Sequence, residues 1–133
     1  MLFRSLRLQT NLCVVPYRNP FLTAKAVATL DSMSGGRVIF GAGAGYLETE
    51  FRALGVDYAA RNAIFDEALV VMKRVWSGES VDLEGRGFAA HGHHALPRPS
   101  QRPHPPIWIG GKDRKSTRLN SSHSQQSRMP SSA

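Results

Sequence analysis

The chain has 133 residues, 41% of them hydrophobic and 20% charged, with one cysteine and a formal net charge of +7. That is room for one domain with a modest core. A single cysteine excludes a disulfide scaffold and a cysteine-based zinc site, and no apolar run approaches the roughly 20 residues of a membrane span.

A basic chain invites a nucleic-acid reading, which depends on where the charge sits. Residues 6–112 hold 12 Lys and Arg against 9 Asp and Glu, a net of only +3. More than half of the excess lies at the two ends. At the amino end, Leu2-Phe3-Arg4-Ser5 resembles a translated stretch of a common sequencing adapter, and the start lacks the long apolar core of a signal peptide.

From Leu6 to Val15 the chain reads as a strand. Leu6, Leu8 and Thr10 alternate with polar residues, and Leu12-Cys13-Val14-Val15 then runs apolar, as in a strand that becomes buried on both faces. Pro16-Tyr17-Arg18 breaks it. Asn19-Pro20 reads as a helix cap followed by proline at the first helical position. Leu22, Ala26 and Leu30 fall four apart, flanked by Val27 and Met33, which predicts one apolar helix face of the kind that packs on a core. Gly35-Gly36 supplies a left-handed stop.

Arg37-Val38-Ile39-Phe40 is a short strand ending in Gly41-Ala42-Gly43-Ala44-Gly45. Helices are predicted over about 47–54 and 62–77, the second from the spacing of Ile64, Phe65, Ala68, Leu69, Met72, Val75 and Trp76. Residues 78–102 are Gly-, Pro- and His-rich, with short strands predicted near 81–83 and 87–90. Pro105-Pro106-Ile107-Trp108-Ile109 is the last strand, closed by Gly110-Gly111. This order is the α/β alternation of a parallel sheet with right-handed crossovers.

Residues 113–133 differ in kind. They hold seven serines and no aromatic residue, a composition that reads as disordered. Asp113 to His123 resembles the in-frame translation of the same sort of adapter, and Ser127 to Ala133 resembles its downstream part. A natural basic tail that binds nucleic acid is the competing reading. The expected division is adapter-derived residues 1–5, a domain over 6–112, and an adapter-derived tail over 113–133.

The glycines after Phe40 are the clearest chemical signal. Small residues there let a ligand approach the backbone at a strand's carboxyl end, where both open and closed α/β sheets bind cofactors. The dinucleotide fingerprint does not fit, because its third glycine would fall at Tyr46. A tight turn that needs small residues for packing explains the run equally well. His91, His93, His94 and His104 are close enough in sequence to consider a metal. No carboxylate accompanies them at ligand spacing, so solvated loop histidines are the better reading. Cys13 reads as a small core residue, Asp66, Glu67, Lys73 and Arg74 as a solvated helix face, and Trp76 and Trp108 as core. No Ser/His/Asp, Walker or zinc-protease pattern is present.

Several ordered motifs carry a family likeness: Pro16-Tyr17-Arg18-Asn19-Pro20, Leu30-Asp31-Ser32-Met33-Ser34-Gly35-Gly36-Arg37, Gly41-Ala42-Gly43-Ala44-Gly45-Tyr46, Glu50-Phe51-Arg52-Ala53-Leu54-Gly55, and the run from Pro97 to Gly111. Together they resemble the bacterial-luciferase-like monooxygenases, in particular the coenzyme F-420-dependent and FMN-dependent oxidoreductases. The resemblance implies a (β/α)8 TIM barrel, of which residues 6–112 are strands three to five with their helices. It implies FMN or coenzyme F-420 as cofactor and hydride transfer or oxygen activation on a small organic substrate. The ring would lie across the strands' carboxyl ends, over a non-proline cis peptide at Asn11-Leu12. Gly43, Ala44 and Gly45 would flank it, and Gly110 and Gly111 would open the phosphate loop. Some FMN-using relatives carry a cation where this chain has Ala44, a departure that favours the deazaflavin or a different phosphate grip. The acid and base residues of the family come mostly from segments outside this chain, so the catalytic residues are left unassigned. The resemblance suggests a cytoplasmic enzyme with no metal, no nucleic-acid or membrane partner, and a full-length parent that forms a homo-oligomer. Two rival readings are a small basic nucleic-acid-binding protein and a non-catalytic half-barrel module.

Overall fold

Residues 5–111 are described by a computed structural model. The adapter-like ends, apart from Ser5, and the tail expected over 113–133 lie outside the described residues.

Strands β1 (Leu8–Gln9) and β2 (Cys13–Val14) are two pieces of one course of chain. Both pair in parallel with β3 (Val38–Gly43), and β6 (Ile107–Ile109) pairs in parallel with the other edge of β3. Gln9 stands opposite Ile39, yet Cys13 stands opposite Ala42. The first course therefore gains one residue on β3, which is a bulge. This corrects the expectation of an unbroken strand over 6–15 buried on both faces. β1 is exposed and β2 half-buried, because this course pairs with β3 alone.

Helix α1 (Pro20–Ser34) starts where Asn19 accepts a hydrogen bond from the Phe21 N–H (2.9 Å) and stops at Gly35, whose φ of 67° is the left-handed conformation glycine adopts without strain. Its buried side is Thr23, Ala24, Val27, Ala28 and Asp31. The stripe that the spacing picked out points the other way: Leu22 is 69% exposed, Met33 83% and Leu30 41%. At about 100° per residue, Leu22, Ala26 and Met33 lie about 150° around the helix from its buried side. The reason is size. Ala24 and Ala28 let α1 sit close to its neighbours, and the Trp76 indole N–H donates to the Ala24 carbonyl at 2.9 Å.

After β3 come α2 (Glu48–Ala53) and α3 (Arg61–Ser77). Phe65, Ala68, Leu69, Met72, Val75 and Trp76 form the buried side of α3, as the spacing predicts. A hairpin of β4 (Val81–Gly85) and β5 (Phe88–His93) follows. It puts His91 and His93 on a strand and not in a loop. His91 lies 3.4 Å from Glu84, and the His93 ring packs edge-on to Phe21.

The helices cover one face of the sheet. Val38, Phe40 and Ala42 point into that layer, and Phe40 meets Trp76 edge to face at 6.0 Å. Burying two such rings stabilises the layer by about 2–3 kcal/mol each. A polar latch sits at the amino end of β3. The buried Asp31 carboxylate accepts hydrogen bonds from the Val38 N–H, the Gln101 N–H (2.9 Å) and the Gln101 side-chain amide (2.7 Å). The same amide donates to the Val38 carbonyl at 2.8 Å. α1, β3 and the segment entering β6 are thereby held in one register.

Candidate cofactor site

Side chains alternate along a strand. With Val38, Phe40 and Ala42 on the helix side, Ile39, Gly41 and Gly43 face away from the helices. On β6, Ile109 joins the core and Trp108, 41% exposed, turns to the open face. That corrects the reading of both tryptophans as core: Trp76 is fully buried, and Trp108 belongs to the other side of the sheet.

Close backbone approach keeps the open face bare near the carboxyl ends. A Cβ at Gly41 would overlap the Thr10 carbonyl oxygen, which is backbone and cannot swing aside. The Thr10 hydroxyl donates to the Gly41 carbonyl at 2.8 Å and pins the bulge in place. A Cβ at Gly43 would stand 2.7 Å from one Leu12 methyl, and a Cβ at Gly110 would overlap the other. The Gly110 N–H donates to the Ala42 carbonyl at 2.9 Å. One half-exposed side chain, Leu12, therefore lies across two adjacent strand ends. The Asn11–Leu12 peptide is cis, at the position to which the family resemblance points.

Of the seven candidate residues, Leu12, Gly43 and Gly110 converge. Asn11 is exposed on the bulge, Ala44 is half-buried, and Gly111 is exposed just beyond Gly110. Gly45 has a different job. The place of its Cβ is closed by Val14 at 2.7 Å and by the Phe51 ring at 2.9 Å. Its smallness serves packing under α2 and opens no ligand space, so the glycine run answers to both of its readings at different positions.

Beside the run stands an aromatic wall absent from the sequence-based expectations. The Tyr17 hydroxyl donates to Glu50 at 2.5 Å, which pushes the phenol pKa up to about 12. Tyr17 meets Phe51 edge-on at 4.8 Å, Phe51 meets Tyr58 at 5.3 Å, and the Arg61 guanidinium lies 4.1 Å from the Tyr58 centroid. Tyr17 and Glu50 are 33 residues apart, so no local spacing signals the pair. Burial pushes the Cys13 thiol up, against a smaller opposing effect of Arg18, which leaves it a neutral core-edge group. Among the described residues no three His, Cys, Asp or Glu converge. A groove of about 390 Å³, walled by Pro16, Val56, Ile64 and Phe88, contains none of the shelf residues.

The family model for luciferase-like monooxygenases matches residues 4–125. The chain belongs to this family. Among luciferase-like relatives, it is 32% identical over 99 residues to an FMNH(2)-dependent dimethylsulfone monooxygenase of Pseudomonas putida, covering 72% of this chain and 27% of that protein. It is similar in structure to the monooxygenase RslO1 from Streptomyces bottropensis, with 35% identity, a TM-score of 0.75, and coverage of 80% of this chain and 32% of the other. It is also similar to an F-420-dependent secondary alcohol dehydrogenase solved with an F-420-acetone adduct, with 26% identity, a TM-score of 0.74, and coverage of 88% and 36%. The chain spans about a third of the length of these luciferase-like relatives. Its parallel strand–helix course is part of a (β/α)8 barrel, about strands three to five. Its relatives include FMNH(2)-dependent and F-420-dependent enzymes. No helix among the described residues is long and apolar enough to cross a membrane.

Proposed function

We propose that residues 6–112 are a segment of a longer, cytoplasmic luciferase-like oxidoreductase that holds the ring of FMN or coenzyme F-420 over the carboxyl ends of β2, β3 and β6. The observation that carries this reading is the shelf. Gly43, which is buried, and Gly110, which is exposed, meet beneath the half-exposed Leu12, the one side chain spanning them. A flat ring needs such a surface, and any Cβ at either glycine would compete with Leu12 for the space. When bound, the ring supplies the redox chemistry, by hydride transfer or by oxygen activation on a small organic substrate. The residues of this chain bind and orient. Leu12 supports the ring, Ala44 and Gly45 carry the backbone past its edge, and the Tyr17–Glu50 bond fixes α2 beside them. Gly110 and Gly111 lead into the loop assigned to the phosphate. General acid and base groups are assigned to the rest of the parent. Titration of the full-length parent with FMN and with F-420 tests the reading: micromolar binding of one supports it, and binding of neither rejects it.

The outward stripe of α1 belongs to the same proposal. Leu22, Ala26 and Met33 point away from the sheet, Leu30 stands on the flank, and the exposed Lys25 borders the same side. A second copy of the parent suits this face, because Leu22 and Met33 are large apolar side chains that stand exposed on it. One helix falls short of the roughly 800 Å² per partner of a stable interface, so further parent segments complete it. Light scattering should find a parent dimer that Leu22→Lys with Met33→Lys converts to monomer; a wild-type monomer rejects the assignment.

A further inference from the structure

We propose that Trp108 is the floor of the ring pocket and sets its depth. The inference rests on the cofactor reading above and concerns a residue which that reading does not use. Ile107 and Ile109 pack toward the helix layer, so Trp108 between them presents its indole to the open face. The helix-side core does not need it, since Trp76 fills that layer with its N–H satisfied by Ala24.

Trp108 stands opposite Gly41 in the β3–β6 register. Gly41 adds no side chain to this layer and can acquire none, because the Thr10 carbonyl presses on the place of its Cβ. On the same face of the chain, two residues on, is Gly110, about 6.6 Å further along the strand direction. There the Leu12 methyl lies over the backbone. The column thus runs from a broad apolar plate at Trp108, past Gly41 with the Thr10 backbone pressed on it, to the shelf at Leu12, Gly43 and Gly110. An indole is large, flat and stiff, and it favours offset-stacked or edge-to-face contact with another aromatic plane. Its chemistry suits a planar tricyclic ring and offers nothing to a phosphate. Trp108 therefore bears on the ring alone, whereas the loop after Gly110 bears on the tail.

The test uses the full-length parent with wild-type, Trp108→Phe and Trp108→Ala forms, titrated with FMN and with riboflavin, its ring without the phosphate. For a deazaflavin-binding parent the pair is F-420 and its ring-ribityl fragment. The difference in emission between wild type and Trp108→Phe isolates Trp108. It should fall by more than half on ring binding. Trp108→Ala should weaken the intact cofactor and the ring fragment by the same factor, about tenfold, and Trp108→Phe should restore most of it. Unquenched Trp108 emission together with dissociation constants within twofold of wild type would overturn the floor assignment while leaving the cofactor reading intact. A lower unfolding midpoint as the sole change would mark Trp108 as interior packing and overturn it equally. If the wild type binds none of these ligands, the cofactor reading falls and the floor assignment falls with it.

Discussion

The two faces of β3 are built on opposite rules. One face presents Val38, Phe40 and Ala42 to α1 and α3, and every partner it needs lies within residues 5–111. The other presents Ile39, Gly41 and Gly43, with Trp108 and Leu12 beside them partly exposed. All six residues of the strand are buried, but one side lies under the helices and the other under Thr10 and Leu12. The difference teaches where stability and binding are separated: substitutions on the helix side should change folding, and substitutions on the open side should change what the protein holds.

The largest expected effect concerns the open face as a whole. Among the described residues, parallel strand edges are unpaired and the Leu12 and Trp108 side chains of that face are partly exposed. On its own the 133-residue chain should aggregate or remain molten and bind no cofactor with useful affinity. A cooperative thermal transition together with micromolar FMN or F-420 binding would break the comparison. In the parent, Trp76→Ala should cost about 3–5 kcal/mol in urea unfolding, from the cavity it leaves. Its effect on ring affinity in the folded state should stay within twofold. Asp31→Asn should cost about 2 kcal/mol, because the new amide turns a donor toward the donors of Gln101 and Val38.

The smallest effect is a pH dependence at Tyr17. Its bond to Glu50 raises the phenol pKa above the ordinary value near 10. The stability contributed by the neutral, donating phenol is fully present below about pH 10 and is lost as pH rises through about 12. Tyr17→Phe should leave the unfolding midpoint at pH 7 little changed and remove this alkaline slope. An unaltered slope between pH 9 and 11.5 would show that the pair is not formed. The nucleic-acid reading meets a separate check. Filter binding of the folded parent to DNA should show no tight, steeply salt-dependent retention, given the net +3 of residues 6–112.

Much of the helix layer was legible in the sequence, because its signals are local. Asn19 and Gly35 bound α1, and the periodicity of α3 names its buried side. The stripe of α1 shows the limit of periodicity, which reports that Leu22, Ala26 and Met33 share a side and is silent on where the sheet lies. The strand predicted over 37–40 stops short of Gly41 to Gly43, which β3 includes, because the close approach of Thr10 that requires Gly41 comes from 31 residues earlier. For the site, family likeness picked out Leu12, Gly43 and Gly110, and the three do converge. Their mutual contact spans the whole segment and has no signature in spacing. Trp108 was read as core because a tryptophan in a short apolar strand carries no mark of the face it takes.

Gly43→Ala tests most directly whether the shelf of Leu12, Gly43 and Gly110 receives a ring. The added methyl meets a Leu12 methyl at 2.7 Å, so Leu12, which supports the ring in this reading, must shift. In the full-length parent the account predicts a dissociation constant for FMN or F-420 raised at least tenfold, while the unfolding free energy changes by less than about 1.5 kcal/mol. An unchanged dissociation constant in a folded variant would contradict it.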